Sequence, residues 1–481
     1  MVQQLSHVVG AELLAPQATE YDPVYNPALG TVIGQVPLDD ERAVDLAVQA
    51  ANAAFPGWAK TPVLERTRIM FRYHELLTSH RDELAALVTQ EHGKVRSDAY
   101  NEVGRGIEVV QLAAAAPSLL KGEVLPGVSH GVDVSMVRVP LGVVAGITPF
   151  NFPAMIPLWM VPLALVSGNT FVLKPSERTP LTALRLTELL HEAGLPPGVL
   201  NVVHGGRVVV DRILSHPGIR AVSFVGSQPV AHYVYRTAAA NGKRVQALGG
   251  AKNFHVVLPD ADLDRTVQML TSSAYGSAGE RCLAGSVVVA VGEAGDRLVE
   301  AMEARIRRLV VGDGMQPESE MGPLIRAQHR DRVAGYVAKG VDEGARLVYD
   351  GRRHSLPTSG FFLGPTLFDQ VNAEMVIAQE EIFGPVLSVI RESSLQAAVQ
   401  TANRSRFGNT TTLYTASGAS ARYYRENIQA GMVGINVGVA APVAWFPFSG
   451  WKDSFYGDLH VTGGDGFTFY TERQVVTERW D

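Results

Sequence analysis

The sequence predicts an α/β protein with two units of alternating strands and helices and a small additional β element. From residue 142 onward, short apolar runs alternate with stretches whose apolar residues recur every three or four positions. The first set of apolar runs is GVVAGITP, NTFVLKPS, VLNVVHG, AVSFVGS and RVQALGG, and the second is NFHVVL, SVVVAVG, PVLSVI and MVGINVG. Buried apolar strands that alternate with helices are typical of βαβ units, so each set predicts a mostly parallel sheet.

Helices are expected before and between these strands. Residues 39–55 and 62–115 carry apolar residues at helical spacing. Further helical stretches are TPLTALRLTELLHEAG, RVVVDRILSH, PVAHYVYRTAAANG and EAGDRLVEAMEARIRRLVVG. The most apolar segment, MIPLWMVPLALVSGNTFVL, is interrupted by prolines and a glycine. It is therefore expected to lie in the core rather than to span a membrane.

Two segments predict a separate β element. Residues 116–141 are rich in Val, Ser, Gly and Pro, which is typical of strands and turns, and the tail GDGFTFYTERQVVTERW also predicts a strand. The natural use of such an element is pairing with a neighbouring subunit, so we expect a homodimer or a homotetramer. The expected domains are 1–115 with 138–247, then 248–435, and a β element of 116–137 with 453–481.

The composition is that of an ordinary globular protein. Of the 481 residues, 46% are hydrophobic and 19% are charged. A net charge of −6 provides no basic surface for nucleic acid or an anionic membrane. The single cysteine excludes an intramolecular disulfide and a multi-cysteine zinc site, and no metal is expected. The first residues lack a basic region followed by a long apolar core, so a cytoplasmic location is expected.

Polar residues follow several predicted strands of the first set. The fingerprint G-x-G-x-x-G is absent, because GRGIEVV lacks the last glycine and lies in a helical pattern. Gly226 and Ser227 lie between a strand and a helix, where free N–H groups favour binding of phosphate. A capped helix that binds no ligand is the commoner interpretation of such a pattern. Lys174 and Glu177 follow another strand. An acid there can hold a ribose diol and would repel a 2′-phosphate, and a solvated loop is the alternative.

Asn151 and Cys282 are the other two candidates. Asn151 lies between aromatic residues in GITPFNFP. An amide donor in an apolar loop suits a developing oxyanion, although a turn asparagine is the simpler interpretation. Cys282 follows Glu280 and Arg281 in SAGERCLAGS. A nearby guanidinium would increase the thiolate fraction, but an isolated cysteine is more often a small buried hydrophobe. The residues alone leave both interpretations open.

Five motifs together resemble the aldehyde dehydrogenase family over nearly the whole chain. PFNFP, GNTFVLKPSE, SFVGS, GERC and EEIFGPV occur in the family's order and at its spacing. The resemblance implies a Rossmann-like NAD domain, a catalytic α/β domain carrying the thiol, and a β oligomerisation element. It implies that Cys282 is the nucleophile and that Asn151, with the Cys282 backbone N–H, forms the oxyanion hole. The implied NAD contacts are Lys174 and Glu177 (adenosine ribose), Gly226 and Ser227 (pyrophosphate), Glu381 and Phe383 (nicotinamide ribose), with Phe150 and Arg178.

One stretch departs from the general family pattern. Most members carry ELGGK, whose glutamate activates the hydrolytic water, whereas this chain has ALGGAKN, and Ala247 is expected at the glutamate position. A thioester should then form but hydrolyse slowly, and a thiol such as coenzyme A is the expected acyl acceptor, since it ionises more easily than water. The departure resembles the CoA-acylating methylmalonate-semialdehyde dehydrogenase subfamily. The stretches GITPFNFPAMIPLWMVPLALVSGNTFVLKPSERTP, GAKN, GSAGERC and FPFSGWKDSFYGDLH also resemble that subfamily.

The substrate of that subfamily is a semialdehyde bearing a carboxylate, which a bidentate arginine suits. Arg105 and Arg281 match the subfamily's positions; alternatively, Arg105 is a solvated helix residue and Arg281 tunes the thiol. The resemblance implies NAD-dependent oxidation of methylmalonate or malonate semialdehyde, loss of CO2, and release as propionyl-CoA or acetyl-CoA. The alternatives are a hydrolytic dehydrogenase that yields a free acid, and a catalytically silent homologue on the same fold.

Overall fold

Two mainly parallel sheets carry most of the strands in this computed structural model, which describes residues 4–480. The strands are β1 (His7–Val9), β2 (Glu12–Leu14), β3 (Tyr21–Asn26), β4 (Thr31–Pro37), β5 (Glu123–Ser129), β6 (Val132–Pro140), β7 (Val143–Ile147), β8 (Thr170–Lys174), β9 (Leu200–Val202), β10 (Ile219–Val225), β11 (Arg244–Leu248), β12 (Asn253–Val257), β13 (Gly285–Val291), β14 (Arg346–Tyr349), β15 (Thr366–Asp369), β16 (Val386–Glu392), β17 (Phe407–Gly408), β18 (Thr410–Tyr414), β19 (Met432–Ile435), β20 (Trp451–Lys452), β21 (Phe455–Tyr456) and β22 (Thr471–Arg479).

Helices connect these strands and cover both sheets. They are α1 (Arg42–Lys60), α2 (Val63–Ser79), α3 (Arg81–His92), α4 (Arg96–Ala114), α5 (Ala116–Leu119), α6 (Met155–Val166), α7 (Leu181–Glu192), α8 (Arg207–Ser215), α9 (Gln228–Ala240), α10 (Leu263–Tyr275), α11 (Ala294–Ile306), α12 (Ala327–Asp342), α13 (Val376–Gln379), α14 (Leu395–Asn403), α15 (Gly418–Asn427) and α16 (Gly463–Phe469). Short 3₁₀ turns lie at Gly276–Gly279 and Gly351–Arg353.

The first sheet has the strand order β2-β1-β9-β8-β7-β10-β11-β21. Strands β7 to β11 are parallel, whereas β1, β2 and β21 pair antiparallel at the two edges. The chain order along the parallel part reverses between β7 and β10. Ligands bind at such a reversal in open α/β sheets, beyond the carboxyl ends of the strands.

The second sheet has the order β14-β15-β16-β13-β12-β18-β19, and only β14 among them runs antiparallel. Its central strands are rich in valine and buried along most of their length, as expected for strands covered on both faces. The α/β fold class with two parallel-containing sheets is therefore confirmed. The expectation that the most apolar segment lies in the core is also confirmed, because every residue from Ile156 to Val166 in α6 is buried.

The third sheet is antiparallel and has the order β22-β6-β5. It joins the predicted hairpin to the C-terminal tail, as the sequence pattern indicated. Two details differ from the prediction. Residues 463–469 form helix α16 and not a strand, because Phe467 and Phe469 are buried there, and Gly466 lets the helix approach Leu163 of α6. Strand β21, within 453–481, pairs with β11 and so belongs to the first sheet.

Candidate active site

Cys282 lies on a short loop between the 3₁₀ turn Gly276–Gly279 and strand β13. The turn is conformationally unusual, since Ser277, Ala278 and Gly279 have φ angles of 50°, 52° and 74°. At Gly279 a Cβ atom would lie 2.4 Å from the Gly384 carbonyl oxygen, so both the angle and the contact require glycine. Positive φ at two consecutive non-glycine residues costs free energy and persists only where surrounding contacts enforce it.

The main chain of Cys282 is fixed by two buried amides. Asn253 and Asn409 each donate from Nδ2 to the Cys282 carbonyl oxygen at 2.9 Å. Both asparagines lie in or next to strands of the second sheet, so the loop is held by a rigid scaffold. The thiol itself is partly buried and packs against the core cluster around α6. Cys282 is therefore held in one place and is neither on a mobile loop nor deep in the core.

Burial raises the pKa of the Cys282 thiol to about 12, and the negative charge of Glu381 adds to this. The backbone N–H groups of Cys282 and Leu283 and the Arg281 cation act in the opposite direction. With this pKa, the thiol is almost wholly protonated at neutral pH. Burial likewise raises the pKa of Glu381 to about 7, while the Ala251 N–H that it accepts at 2.9 Å and the Lys252 cation lower it.

Asn151 follows β7 and lies opposite the cysteine loop. The side chain is buried, and Nδ2 donates to the Glu280 carbonyl oxygen at 3.0 Å. The acceptor, Glu280, is only two residues before Cys282, so this hydrogen bond holds the Asn151 side chain against the loop of Cys282. A buried amide donor in such a position suits a negative charge that develops on a substrate oxygen.

A cavity of about 280 Å³ opens in front of the thiol. Helix α4 supplies one wall, since residues at positions 98, 101, 102, 105, 108 and 109 all line the cavity and lie on one face of a helix. The opposite wall is mainly apolar and contains Phe152, Met155, Trp159, Leu283, Val439 and Phe448. Arg105 and Arg281 both line the cavity together with Cys282. The structure thus brings the two arginines and the thiol predicted from sequence into one space.

Each of these arginines already has an acidic partner. Arg281 Nη2 is 2.6 Å from Asp98 Oδ2, and the same oxygen accepts the backbone N–H and the hydroxyl of Ser277 at 3.1 and 3.2 Å. Arg105 Nη1 is 2.8 Å from Glu108 Oε2, and Arg105 also donates to the Pro442 carbonyl oxygen. Asp98 therefore connects α4 to the positive-φ turn in front of Cys282. Asp98 was not predicted from the sequence, although its spacing from Arg105 on α4 places both side chains on one face of the helix.

The residues expected near an adenosine ribose lie at the end of β8. Lys174 Nζ is 3.2 Å from Glu177 Oε2. Burial raises the pKa of Glu177, but the cations of Lys174 and Arg178 outweigh it and hold the pKa at about 2. Glu177 is therefore ionised at neutral pH and can accept hydrogen bonds. Arg178 lies over the ring of Phe150, 5.2 Å from its centroid.

Gly226 and Ser227 follow β10 at the strand-order reversal, at the start of helix α9. The Ser227 side chain makes no capping hydrogen bond to the helix and is exposed. A Cβ atom at Gly226 would lie 2.5 Å from the ring of Phe224, so packing requires glycine at this position. The first N–H groups of α9 point towards the crevice where phosphate binds in sheets of this topology.

Phe383 connects this crevice to the cysteine loop. Its φ angle is 57°, its ring contacts that of Phe150 edge-on with centroids 5.8 Å apart, and its carbonyl oxygen accepts from His329 Nε2 at 2.7 Å. Phe150 immediately precedes Asn151. Phe150, Arg178 and Phe383, which the sequence predicts as cofactor contacts, thus form one contact group next to Asn151.

The expected position of the missing glutamate needs a correction. Ala247 packs in the core cluster on the α1, α8 and α9 side of the first sheet, whereas Leu248 belongs to the cluster against which Cys282 packs. Successive side chains of a strand point to opposite faces, so the residue of β11 on the side of the thiol is Leu248, not Ala247. Both side chains are apolar, so the absence of a carboxylate at this position stands.

No helix between residues 4 and 480 is long and apolar enough to cross a membrane. Within the same range, no group of His, Cys, Asp and Glu side chains is arranged to hold a metal ion.

The chain is similar to known proteins along its whole length. The model of the aldehyde dehydrogenase family matches residues 14–476. The malonate-semialdehyde dehydrogenase of Halalkalibacterium halodurans is 53% identical over 478 residues, which cover 99% of each chain. Malonate-semialdehyde dehydrogenase 1 of Geobacillus kaustophilus is 55% identical over 478 residues, covering 99% of this chain and 98% of the relative.

Two solved structures superpose closely on this one. The methylmalonate-semialdehyde dehydrogenase of Oceanimonas doudoroffii has a TM-score of 0.98 and 50% identity, and the match covers 100% of this chain and 99% of that chain. A chain from Sinorhizobium meliloti 1021, solved in complex with NAD, has a TM-score of 0.98 and 43% identity at the same coverage. From its motifs, its fold and these similarities, the chain belongs to the aldehyde dehydrogenase family.

Proposed function

We propose that the chain is an NAD-dependent, CoA-acylating dehydrogenase of malonate semialdehyde or methylmalonate semialdehyde. The observation that carries the proposal is a cysteine that lines one cavity with two arginines. The core cluster against which this cysteine packs contains an apolar residue, Leu248, where the family's usual pattern has a carboxylate. The relatives named malonate-semialdehyde dehydrogenase support this substrate class.

The arginines account for recognition of the substrate carboxylate. Arg105 and Arg281 lie at the same cavity as the thiol, and their acidic partners, Glu108 and Asp98, hold them in place. A carboxylate on the aldehyde can displace Glu108 and Asp98 from the arginines, or share the arginines with them, and so form charge-assisted hydrogen bonds. A carboxylate-bearing substrate of three to four carbons would then present its aldehyde carbon to Cys282.

The chain's own residues fit the adenosine and phosphate parts of NAD. Glu177 is ionised and accompanied by Lys174, which suits a ribose diol and disfavours a 2′-phosphate. Gly226, Ser227 and the first N–H groups of α9 would contact the pyrophosphate. Glu381 and Phe383 would hold the nicotinamide ribose, beside Phe150 and Arg178. NAD, when bound there, accepts the hydride that leaves the substrate carbon.

The chemistry of the thiol follows from its surroundings. The Cys282 thiolate attacks the aldehyde carbon, and the oxyanion is stabilised by the Asn151 amide and the Cys282 backbone N–H. Oxidation leaves a thioester on the sulfur. The acyl group carries a β-carboxylate, so the bond to CO2 can break while the thioester enolate takes up the electron pair. The enolate carbon then takes up a proton from water, which leaves an acetyl or propionyl thioester. Because Leu248 cannot activate water, the acyl group is released to the thiol of CoA as acetyl-CoA or propionyl-CoA.

We also propose the domain roles expected from the sequence. Residues 1–115 and 138–247 would bind NAD, 248–435 would carry the thiol, and 116–137 with 453–481 would contribute to pairing of subunits. Val124, Leu125 and Val475 of the third sheet are exposed, and an exposed apolar sheet is typical of a subunit interface. A homodimer or homotetramer is the proposed state, and light scattering of the protein in solution would measure it.

The first experiment is a stopped-flow reaction of enzyme, NAD and malonate semialdehyde, with and without CoA, followed by mass analysis of the products. We expect a burst near one NADH per active site, fast turnover only with CoA, and acetyl-CoA as product. Steady turnover without CoA that yields a free acid would overturn the acylating assignment and leave a hydrolytic dehydrogenase. A thiol inert to iodoacetamide, with no burst, would indicate a catalytically silent homologue.

A further inference from the structure

A buried ion pair lies directly behind the loop that carries Asn151. Lys94 Nζ is 2.7 Å from Glu102 Oε2, and neither side chain is accessible to solvent. The same ammonium group donates to the main-chain carbonyl oxygen of Asn151 at 2.6 Å. The other oxygen of Glu102 accepts the N–H groups of Ala154 and Met155 at 2.9 and 3.2 Å. The pair therefore holds the loop between β7 and α6 at its middle and at its C-terminal end.

The contacts of Glu102 cap helix α6. The first N–H groups of a helix have no partner within the helix, and a carboxylate satisfies both the hydrogen bonds and the helix dipole. The capping residue comes from α4, the helix that also presents Asp98 and Arg105 to the cavity. The position of α6 and of the loop before it is thus set from the same helix that lines the substrate cavity.

The contact of Lys94 fixes the main chain of Asn151 rather than its side chain. Only two side-chain torsions separate the Asn151 amide from the main chain, so the position of its Nδ2 depends on the position of the main chain. The ammonium also lies over the ring of Phe152, 4.1 Å from the centroid, which restricts the next residue. Displacement of a catalytic donor by about 1 Å can cost on the order of 100-fold in rate.

A purely stabilising role does not account well for such a pair. Removing two charges from water is expensive, and apolar replacements of buried ion pairs are often neutral or stabilising. Here each charged group also has a hydrogen-bond partner in the main chain of the loop between β7 and α6. The pair is therefore placed to fix this loop.

We propose that Lys94 and Glu102 are positioning residues for the oxyanion hole, and that they act by fixing the Asn151 loop between α4 and α6. The inference rests on the proposed role of Asn151 in the thioester chemistry.

The test is a double-mutant cycle on the full-length enzyme. The variants are Lys94→Met with Glu102→Gln, which removes both charges together, Asn151→Ala, and the combination of all three. The measured quantity is the rate of the NADH burst with malonate semialdehyde. We expect the neutral-pair variant to lose about 100-fold in burst rate, and the triple variant to be no slower than Asn151→Ala, because the pair acts through Asn151.

Two controls separate positioning from a general loss of structure. Alkylation of Cys282 by iodoacetamide forms no oxyanion, so its rate should change by less than about threefold in the neutral-pair variant. Glu91→Gln is the matched variant: Glu91 also caps a helix, because it accepts the N–H groups of Leu181 and Thr182 of α7 at 2.8 and 3.0 Å, and these hydrogen bonds do not involve the Asn151 loop. It should keep the burst of the unmodified enzyme. Lys94→Arg, which retains a donor for the Asn151 carbonyl oxygen, should recover at least tenfold over Lys94→Met.

The outcomes distinguish the two levels of the proposal. If Asn151→Ala keeps a full burst, the role of Asn151 in the proposed function is wrong. If Asn151→Ala loses the burst while the neutral-pair variant keeps it, the positioning inference is wrong. The inference is also overturned if burst and alkylation fall together, or if the losses in the triple variant multiply.

Discussion

Leu248→Glu should convert the enzyme towards hydrolysis. Leu248 ends β11, is 5% exposed, and belongs to the core cluster against which Cys282 packs. A glutamate introduced here would be buried among apolar side chains, and burial raises the pKa of a carboxyl group towards neutral pH. A carboxylate with a pKa near 7 is about half ionised at neutral pH, which is the condition for a general base.

Two magnitudes decide whether the effect of the substitution can be measured: the loss in the free energy of unfolding and the gain in the rate of hydrolysis. Loss of a buried leucine costs about 2–5 kcal/mol when the replacement is alanine, and glutamate restores part of the volume, so we expect a loss of about 2–4 kcal/mol in the free energy of unfolding. A positioned general base contributes about 10²–10⁴-fold in rate. We therefore expect turnover without CoA to rise by about 100-fold, and to increase as the pH rises through 7.

The assay is steady-state NADH formation without CoA, with the acid product identified by mass. Leu248→Gln is the control, because glutamine has nearly the same size and cannot accept the proton from water. Circular dichroism and the melting temperature establish that both variants fold. A folded Leu248→Glu enzyme whose turnover without CoA equals that of Leu248→Gln would refute the assignment of this position.

Three further outcomes are expected. Burial raises the pKa of Cys282 to about 12. The rate of its alkylation by iodoacetamide should therefore rise about tenfold per pH unit between pH 7 and 10, and a plateau of the rate below pH 9 would contradict this. Arg105→Met should raise the KM for malonate semialdehyde about 10–100-fold but leave that for propanal within threefold; equal changes would exclude a carboxylate contact. Asp98→Asn should lower the melting temperature by a few degrees and slow the NADH burst about tenfold, because Asp98 holds both Ser277 and Arg281, and calorimetry with stopped flow measures both.

Periodicity predicted the fold where burial is regular. The parallel strands are short apolar runs because both of their faces are covered, and the long helices α1, α2 and α4 keep one apolar face. The N-terminal strands carry no such pattern: β1 and β2 have only three residues each, and β3 and β4 form a two-stranded sheet that is only partly buried. Helix α16 was predicted wrongly because threonine and phenylalanine favour strands and glycine disfavours helices, whereas packing against α6 decides the outcome.

The site could be predicted only in part. Each predicted residue has a common structural explanation when taken alone, and only the family's motif order singled them out. The structure adds the contacts that fix these residues in place, and no motif contains them. The amides of Asn253 and Asn409 fix Cys282, Asp98 fixes the turn before it, and the pair of Lys94 and Glu102 fixes the oxyanion loop. These contacts join segments up to 179 residues apart in the chain, and local pattern carries no information about such pairings.

The position of the missing base shows how a local structural rule can correct a motif. ALGGAKN is one residue longer than ELGGK between the first letter and the lysine, so the letters alone allow either Ala247 or Leu248 to match the glutamate. The alternation of strand β11 settles which side chain lies on the side of the thiol: Val245 and Ala247 share one core cluster, and Leu248 lies in the other. The apolar character of Leu248 means that water near the thioester has no proton acceptor at this position. The acyl group therefore persists until a better nucleophile arrives, and this is why the proposed reaction requires CoA.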